Sequence, residues 1–262
     1  MRFFHLGLTF LFLFLSAHFT FAQEIKTDHF ILHYGKALSD ADAQKVLSRA
    51  EYYYRNIADL IGSAGYSKFW TWDKRVLITV YDDPEAFTKE TGQPPWSNGY
   101  VQFDSRVDLT KSIATFRQSE NFSDAILPHE ISHLLLHDFL GNTAGIPLWF
   151  DEGLAQLQEK DKLPVAKTIM KALVSKQRHI PLSSLMPMDI RKEKDAATIK
   201  IFYAQSLSVV DFLINKYGKV YFRDLCLALK NGKTFESALI SAYPGILGSL
   251  SDLERQWMQS VK

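Results

Sequence analysis

The sequence predicts an α+β fold, and three observations predict it. Alternating runs rich in β-branched and aromatic residues are confined to the first half of the chain. Helical periodicity is almost continuous from about Trp149 onward. Between the two lies a strongly apolar helix whose polar residues include His129-Glu130 and Ser132-His133. Strands first and helices after, with that helix at the junction, give a small N-terminal mixed sheet followed by a mostly helical C-terminal half.

Taken in order, residues 29–34 alternate and read as a strand. Ser39 caps a helix over 40–61, with Val46, Ala50, Tyr53, Ile57 and Leu60 on one stripe and Gly62 ending it. Residues 75–81 form a second strand, a short helix follows around 84–88, and Gly92-Gln93-Pro94-Pro95 is turn-rich. Residues 99–103 and 106–109 are expected to be two further short strands joined by a tight turn. The apolar helix runs from about 123 to 140, so Pro128 must fall in its first turns, where a missing N–H is tolerated, or else kink it. Apolar periodicity then marks helices near 149–159, 164–176, 198–216, 220–230, 234–242 and 251–261. Gly145-Ile146-Pro147, Asn231-Gly232 and Pro244-Gly245 separate some of these helices. The Lys and Arg residues between 160 and 194 are interspersed with acids and read as a solvated face.

The chain has 262 residues, 47% hydrophobic and 23% charged, an ordinary globular composition. Its start is different. Arg2 precedes a mostly apolar run to Phe21, and Thr20-Phe21-Ala22 offers small residues at both positions of an A-x-A-like cleavage site. Residues 1–22 therefore read as a secretory signal peptide cut after Ala22, and as a membrane anchor if uncleaved. Either way the protein is expected to be exported, to a bacterial periplasm or the extracellular space. The expected mature domain is 23–262: strand-rich over 26–110, metal-binding over 123–160 and helical over 163–262. Without Arg2 the chain carries 29 basic and 29 acidic side chains, a balance that offers no footprint for nucleic acid. Cys226 is the only cysteine, so no intramolecular disulfide forms; its apolar helical surroundings mark it as a small buried hydrophobe. No cysteine near Ala22 suggests a lipid anchor.

His129-Glu130-Ile131-Ser132-His133 is the pattern H-E-x-x-H. On a helix, residues four apart share a face, so both imidazoles can reach one ion, while Glu130 stands about 100° around the helix, off the metal axis. By composition alone the pattern arises in roughly one such chain in a hundred. Its surroundings, Ala125-Ile126-Leu127 before and Leu134-Leu135-Leu136 after, are too apolar for a surface helix. Buried polar groups there need partners, and a metal with its water supplies them. Eighteen residues separate His133 from Glu152, which lies within Trp149-Phe150-Asp151-Glu152-Gly153-Leu154-Ala155. Two His and one Glu leave a fourth position on zinc for water.

H-E-x-x-H, eighteen residues and W-x-x-E-G-L-A resemble the gluzincin zinc metallopeptidases, most closely the bacterial peptidase MA-like domains. Ile146-Pro147-Leu148-Trp149 and the helix opening at Tyr203-Ala204-Gln205-Ser206 share that likeness. The resemblance implies a thermolysin-like zincin catalytic domain in which His129, His133 and Glu152 bind Zn2+. Glu130 would be the general base toward a zinc-activated water, and Tyr203 would donate to the developing oxyanion. The implied partner is a peptide or protein substrate; the oligomeric state is open. Asp151 is either an acid orienting a His ligand or one favoured by the helix dipole. Where thermolysin-like enzymes have an Asp four residues after the ligand Glu, this chain has Gln156, whose amide can still accept from an imidazole. His137 does not fit the spacing of a third His ligand and is expected to be structural or to support a ligand. No Gly-Ala-Met-Glu-Asn motif is present, which argues against an aminopeptidase. A zinc-binding envelope scaffold without peptidase activity, and a zinc amidase acting on cell-wall peptides, are the alternatives.

Overall fold

The protein's computed structural model describes residues 23–36, 38–63, 70, 74–94, 99–104, 110–117, 122–141 and 145–261. The expected export segment 1–22 and the expected strand 106–109 lie outside these residues. Five strands form one mixed sheet: β1 (Gln23–Lys26), β2 (Phe30–Tyr34), β3 (Val76–Tyr81), β4 (Gly99–Asp104) and β5 (Thr110–Phe116), in the order β1-β2-β3-β5-β4. The pairs β2–β3 and β3–β5 are parallel, and the outer pairs β1–β2 and β4–β5 are antiparallel. Parallel neighbours need a crossover, and α1 (Asp40–Ile61) supplies it between β2 and β3. In register across the sheet, Leu32, Ile78, Ile113 and Val101 form one apolar row facing the helices.

Two strands are not where the residue pattern alone points. β5 pairs on both sides, so it is an inner strand, although Thr-Lys-Ser-Ile-Ala-Thr-Phe has little β-type alternation. Neighbours on both edges satisfy its backbone, so small and polar side chains suffice. β1 is an exposed edge strand whose Glu24 meets Lys26 at 2.8 Å and His33 at 2.7 Å.

α1 begins and ends as its sequence predicts. The Ser39 hydroxyl accepts from the Asp42 N–H at 3.2 Å, and Gly62 closes the helix at φ 79°. Val46, Ala50, Ile57 and Leu60 are buried, while Tyr54 enters the core in place of Tyr53. Tyr53 stays half-buried and its hydroxyl donates to Asp124 at 2.9 Å. On the opposite sheet face, α2 (Pro84–Thr91) starts at an Asp83 cap and seats Phe87 against Ala114 and Phe116.

α3 (Ile126–Leu140) carries the H-E-x-x-H pattern and packs against α1 and the sheet. Pro128 is its third residue and leaves the helix intact, as its missing N–H has no intrahelical partner to lose there. The remaining helices are α4 (Leu148–Leu157), α5 (Lys162–Ser175), α6 (Leu182–Leu185), α7 (Ala196–Tyr217), α8 (Lys219–Lys230), α9 (Phe235–Ala242) and α10 (Leu250–Val261). Only α6 and a 3-10 turn at Ile190–Lys192 were not foreshadowed; both are too short to show a period. α7 is central to this half, buried on nearly every side from Ala204 to Ile214 and packed on α4, α5 and α8. Cys226 is fully buried in α8, and burial pushes its thiol well above the usual range.

Candidate metal centre

Two helices meet to form the site. On α3, His129, Glu130 and His133 are half-buried while their neighbours Leu127, Ile131, Leu134 and Leu135 are in the core. On α4, Trp149, Phe150, Leu154 and Ala155 are completely buried, and Glu152 turns the other way. Trp149 and Phe150 clasp Phe235 at ring-centroid distances of 5.2 and 5.3 Å, which fixes the start of the helix. Gly153 is required by close approach: a Cβ there would stand 2.5 Å from the Ser206 carbonyl oxygen of α7. That contact brings α7, and with it Tyr203, beside Glu152.

The structure brings the three expected ligands together. His129 Nε2 and His133 Nε2 are 3.0 Å apart, and Glu152 Oε2 lies 3.8 Å from the first and 3.9 Å from the second. A tetrahedral zinc with bonds of about 2.0–2.1 Å holds its ligand atoms about 3.3 Å apart, so the cluster fits such an ion with small side-chain rotations.

The far side of each imidazole shows why the near side suits a cation. His133 Nδ1 donates to Asp151 Oδ1 at 2.7 Å, and His129 Nδ1 to Glu159 Oε1 at 2.9 Å. With both Nδ1 atoms donating to carboxylates, the two Nε2 lone pairs point at one another and at a carboxylate oxygen. Only a metal or a proton relieves that arrangement. In the metal-free chain a proton does: burial opposes the His133 charge, but Asp151, Glu152 and Glu130 outweigh it and raise the imidazole to about 9. Burial likewise works against the Asp151 charge, yet His133 and His137 hold that carboxyl far below its usual range. Glu159 is also lowered: its burial is overcome by His129 and Lys162. Asp151 is thus an orienting acid, and its second oxygen accepts from His137 Nε2 at 2.7 Å.

Gln156 has no imidazole left to serve, because the histidine Nδ1 atoms are taken by Asp151 and Glu159. Glu159 was not anticipated. It lies just past the end of α4, two turns beyond Glu152, and that seven-residue spacing was the available signal.

Glu130 sits against the first residue of β4. A Cβ on Gly99 would stand 2.8 Å from Glu130 Oε1, so glycine at this position makes room for the carboxylate. Burial raises the Glu130 carboxyl, against the pull of His129 and His133, and burial raises Glu152 in the same way. Tyr203 lines the same open cleft, of about 520 Å³, as His129 and Glu152. Burial, with Glu152 and Glu159 nearby, pushes its phenol up to about 12, so it is a proton donor at neutral pH.

Among known proteins, a family model of the peptidase MA superfamily matches residues 71–262. The chain belongs to the peptidase MA superfamily. The match includes β3, the whole metal cluster and every helix from α2 onward, and leaves β1, β2 and α1 ahead of it. No curated protein matches the chain. Superfamily membership supports a peptidase-type enzyme, and the His, Glu and Asp groups gathered here could hold its metal.

Proposed function

We propose that the protein is an exported, zinc-dependent metallopeptidase with a thermolysin-like zincin catalytic domain. The observation that carries this reading is the convergence of His129 Nε2, His133 Nε2 and Glu152 Oε2 within 3.9 Å, with both histidines on the helix that also carries Glu130, in a peptidase MA chain. Two His and one Glu are a donor set that zinc accepts while keeping a further position open. When bound, zinc supplies a Lewis acid that acidifies water and polarises the scissile carbonyl.

The chain's own residues do the rest. Asp151 and Glu159 fix the two imidazoles by their Nδ1 protons, so that both Nε2 lone pairs are presented to one point. Glu130, held with its carboxyl against Gly99, takes a proton from the attacking water and passes it to the leaving amine. Its raised proton affinity suits a group that must hold the proton between those two transfers. The Tyr203 hydroxyl, protonated at neutral pH, donates toward the oxygen on which negative charge develops. β4 is an edge strand, and extended substrate adds along it by backbone hydrogen bonds, passing the Glu130 carboxyl at Gly99.

Export rests on the apolar N-terminal run and the small residues before Gln23. The test pairs metal analysis of the purified protein with peptide-library digestion. Stoichiometric zinc, cleavage abolished by chelator, and a loss of at least about a hundredfold in Glu130→Gln are expected. Parent-level hydrolysis by Glu130→Gln refutes the mechanism, and bound zinc without cleavage turns the reading to a scaffold.

A further inference from the structure

The cleft beside the metal cluster has a composition of its own. On α5, Lys162, Val165, Ala166 and Ile169 follow the spacing of one helical face; on α7, Lys200, Tyr203, Ala204 and Leu207 follow it again. Side by side, these faces make an apolar trough that opens onto His129 and Glu152. Alanines at 166 and 204, both buried, leave the trough unfilled where larger side chains would close it. Val165 remains 58% exposed at its edge and carries the apolar lining out to the mouth of the trough.

The rim is cationic. Lys162 and Lys200 are both exposed on it. Lys162 stands 3.4 Å from Glu159, whose other oxygen is already engaged by His129. Lys200 has no acidic partner among the described residues. An apolar trough with two ammonium groups at its mouth complements one class of occupant.

We propose that this cleft selects peptides carrying an apolar side chain beside the scissile bond and a carboxylate one or two residues away, within reach of Lys162 and Lys200. The carboxylate belongs to an acidic side chain or to a free C-terminus, and both present the same chemistry. The inference rests on the metallopeptidase reading above and names its substrate. Trimming the apolar side chain lowers the rate at least about tenfold, the discrimination a hydrophobic pocket provides per methylene or more. Each exposed lysine adds a smaller factor, up to about fivefold, that fades with salt.

The experiment uses zinc-loaded protein and four peptide series read by mass spectrometry: leucine or serine at the cleavage position, with an acidic or neutral neighbour, each with a free or amidated C-terminus. Lys162→Glu, Lys200→Glu and Val165→Glu, all at exposed positions, are compared with the parent. Calorimetric binding of the same peptides to Glu130→Gln runs alongside. Preference for leucine that weakens in Val165→Glu, with a carboxylate preference that reverses in the lysine variants, supports the proposal. The acidic-neighbour and free-terminus arms then say which carboxylate is read. Cleavage indifferent to leucine and to carboxylate overturns it while the metallopeptidase reading stands. If nothing is cleaved, that reading falls, and binding decides the cleft by itself: the same selectivity in calorimetry supports it, and equal or no binding overturns it.

Discussion

Replacing Gly153 by alanine tests how the site is assembled. A Cβ at 153 would meet the Ser206 carbonyl oxygen at 2.5 Å, the Ser206 carbonyl carbon at 2.7 Å and Val210 Cγ2 at 2.8 Å. Two of these three atoms are backbone inside α7, a helix packed on nearly all sides, so no side-chain rotation relieves the contact. α4 and α7 must separate by close to 1 Å to restore ordinary carbon–oxygen contact, the kind of overpacking that costs roughly 1–3 kcal/mol. Alanine's better helix propensity returns about 1 kcal/mol. Because two of the clashing atoms are backbone, the upper part of the overpacking range, about 2–3 kcal/mol, applies; the net loss is then about 1–2 kcal/mol, which for a domain of this size lowers Tm by roughly 2–8 °C. Because Glu152 is the adjacent residue, the same displacement widens its 3.8 and 3.9 Å separations from the histidines. Thermal unfolding of metal-free protein reads the first effect, and zinc affinity by chelator competition reads the second. A Gly153→Ala protein with the parent's Tm or higher, and undiminished zinc affinity, would refute the close-approach argument.

Asp151→Asn and Glu159→Gln each remove the carboxylate behind one imidazole, and zinc affinity is expected to fall about 10- to 100-fold in each, measured by chelator competition. Asp151 should show the larger effect, since it serves His133 and His137 together. Zinc binding should also be pH-dependent. His133 carries a proton below about 9 in the metal-free chain, so raising pH removes a competitor; apparent affinity climbs up to about tenfold per pH unit and levels above 9. A flat affinity between pH 6 and 9 contradicts that assignment. The raised imidazole also stabilises the metal-free fold below its unfolded value of about 6.5, and that contribution is lost as pH rises through about 9. Tyr203→Phe is expected to lower kcat about 10- to 1,000-fold with zinc content unchanged, measured on any cleaved peptide; an unaltered kcat removes Tyr203 from the reaction.

Most helices were legible because their evidence is local. The Ser39 cap, the Gly62 stop and the apolar stripe between them lie within the segment they define, and α1 follows them. The periodic runs after residue 148 became α4, α5 and α7 to α10 with shifts of a residue or two at their ends. β5 was not legible: its place depends on β3 and β4 lying on either side, and nothing in its own residues says so. Tyr53 and Tyr54 adjoin in sequence, and only the angle at which α1 meets the sheet chose Tyr54 for the core. The metal cluster divides in the same way. H-E-x-x-H is local, and its geometry follows from the helix. Sequence alone leaves Asp151 either an orienting acid or a helix-dipole acid; the meeting of α3 and α4, which sets it 2.7 Å from His133 Nδ1, decides for the first.

The sequence by itself determined the candidate donor set of this protein: two imidazoles and a glutamate on one helix, a second carboxylate at loop-return distance, and the helices that hold them. Those follow from helical period, side-chain chemistry and chain reach, all of which act between residues close in sequence. The tertiary structure alone decided which acid stands behind which histidine, why glycine is needed at 99 and 153, and what lines the cleft. Each of those depends on two elements arriving at the same place, and that is settled by packing of the whole core, which no short stretch of residues encodes.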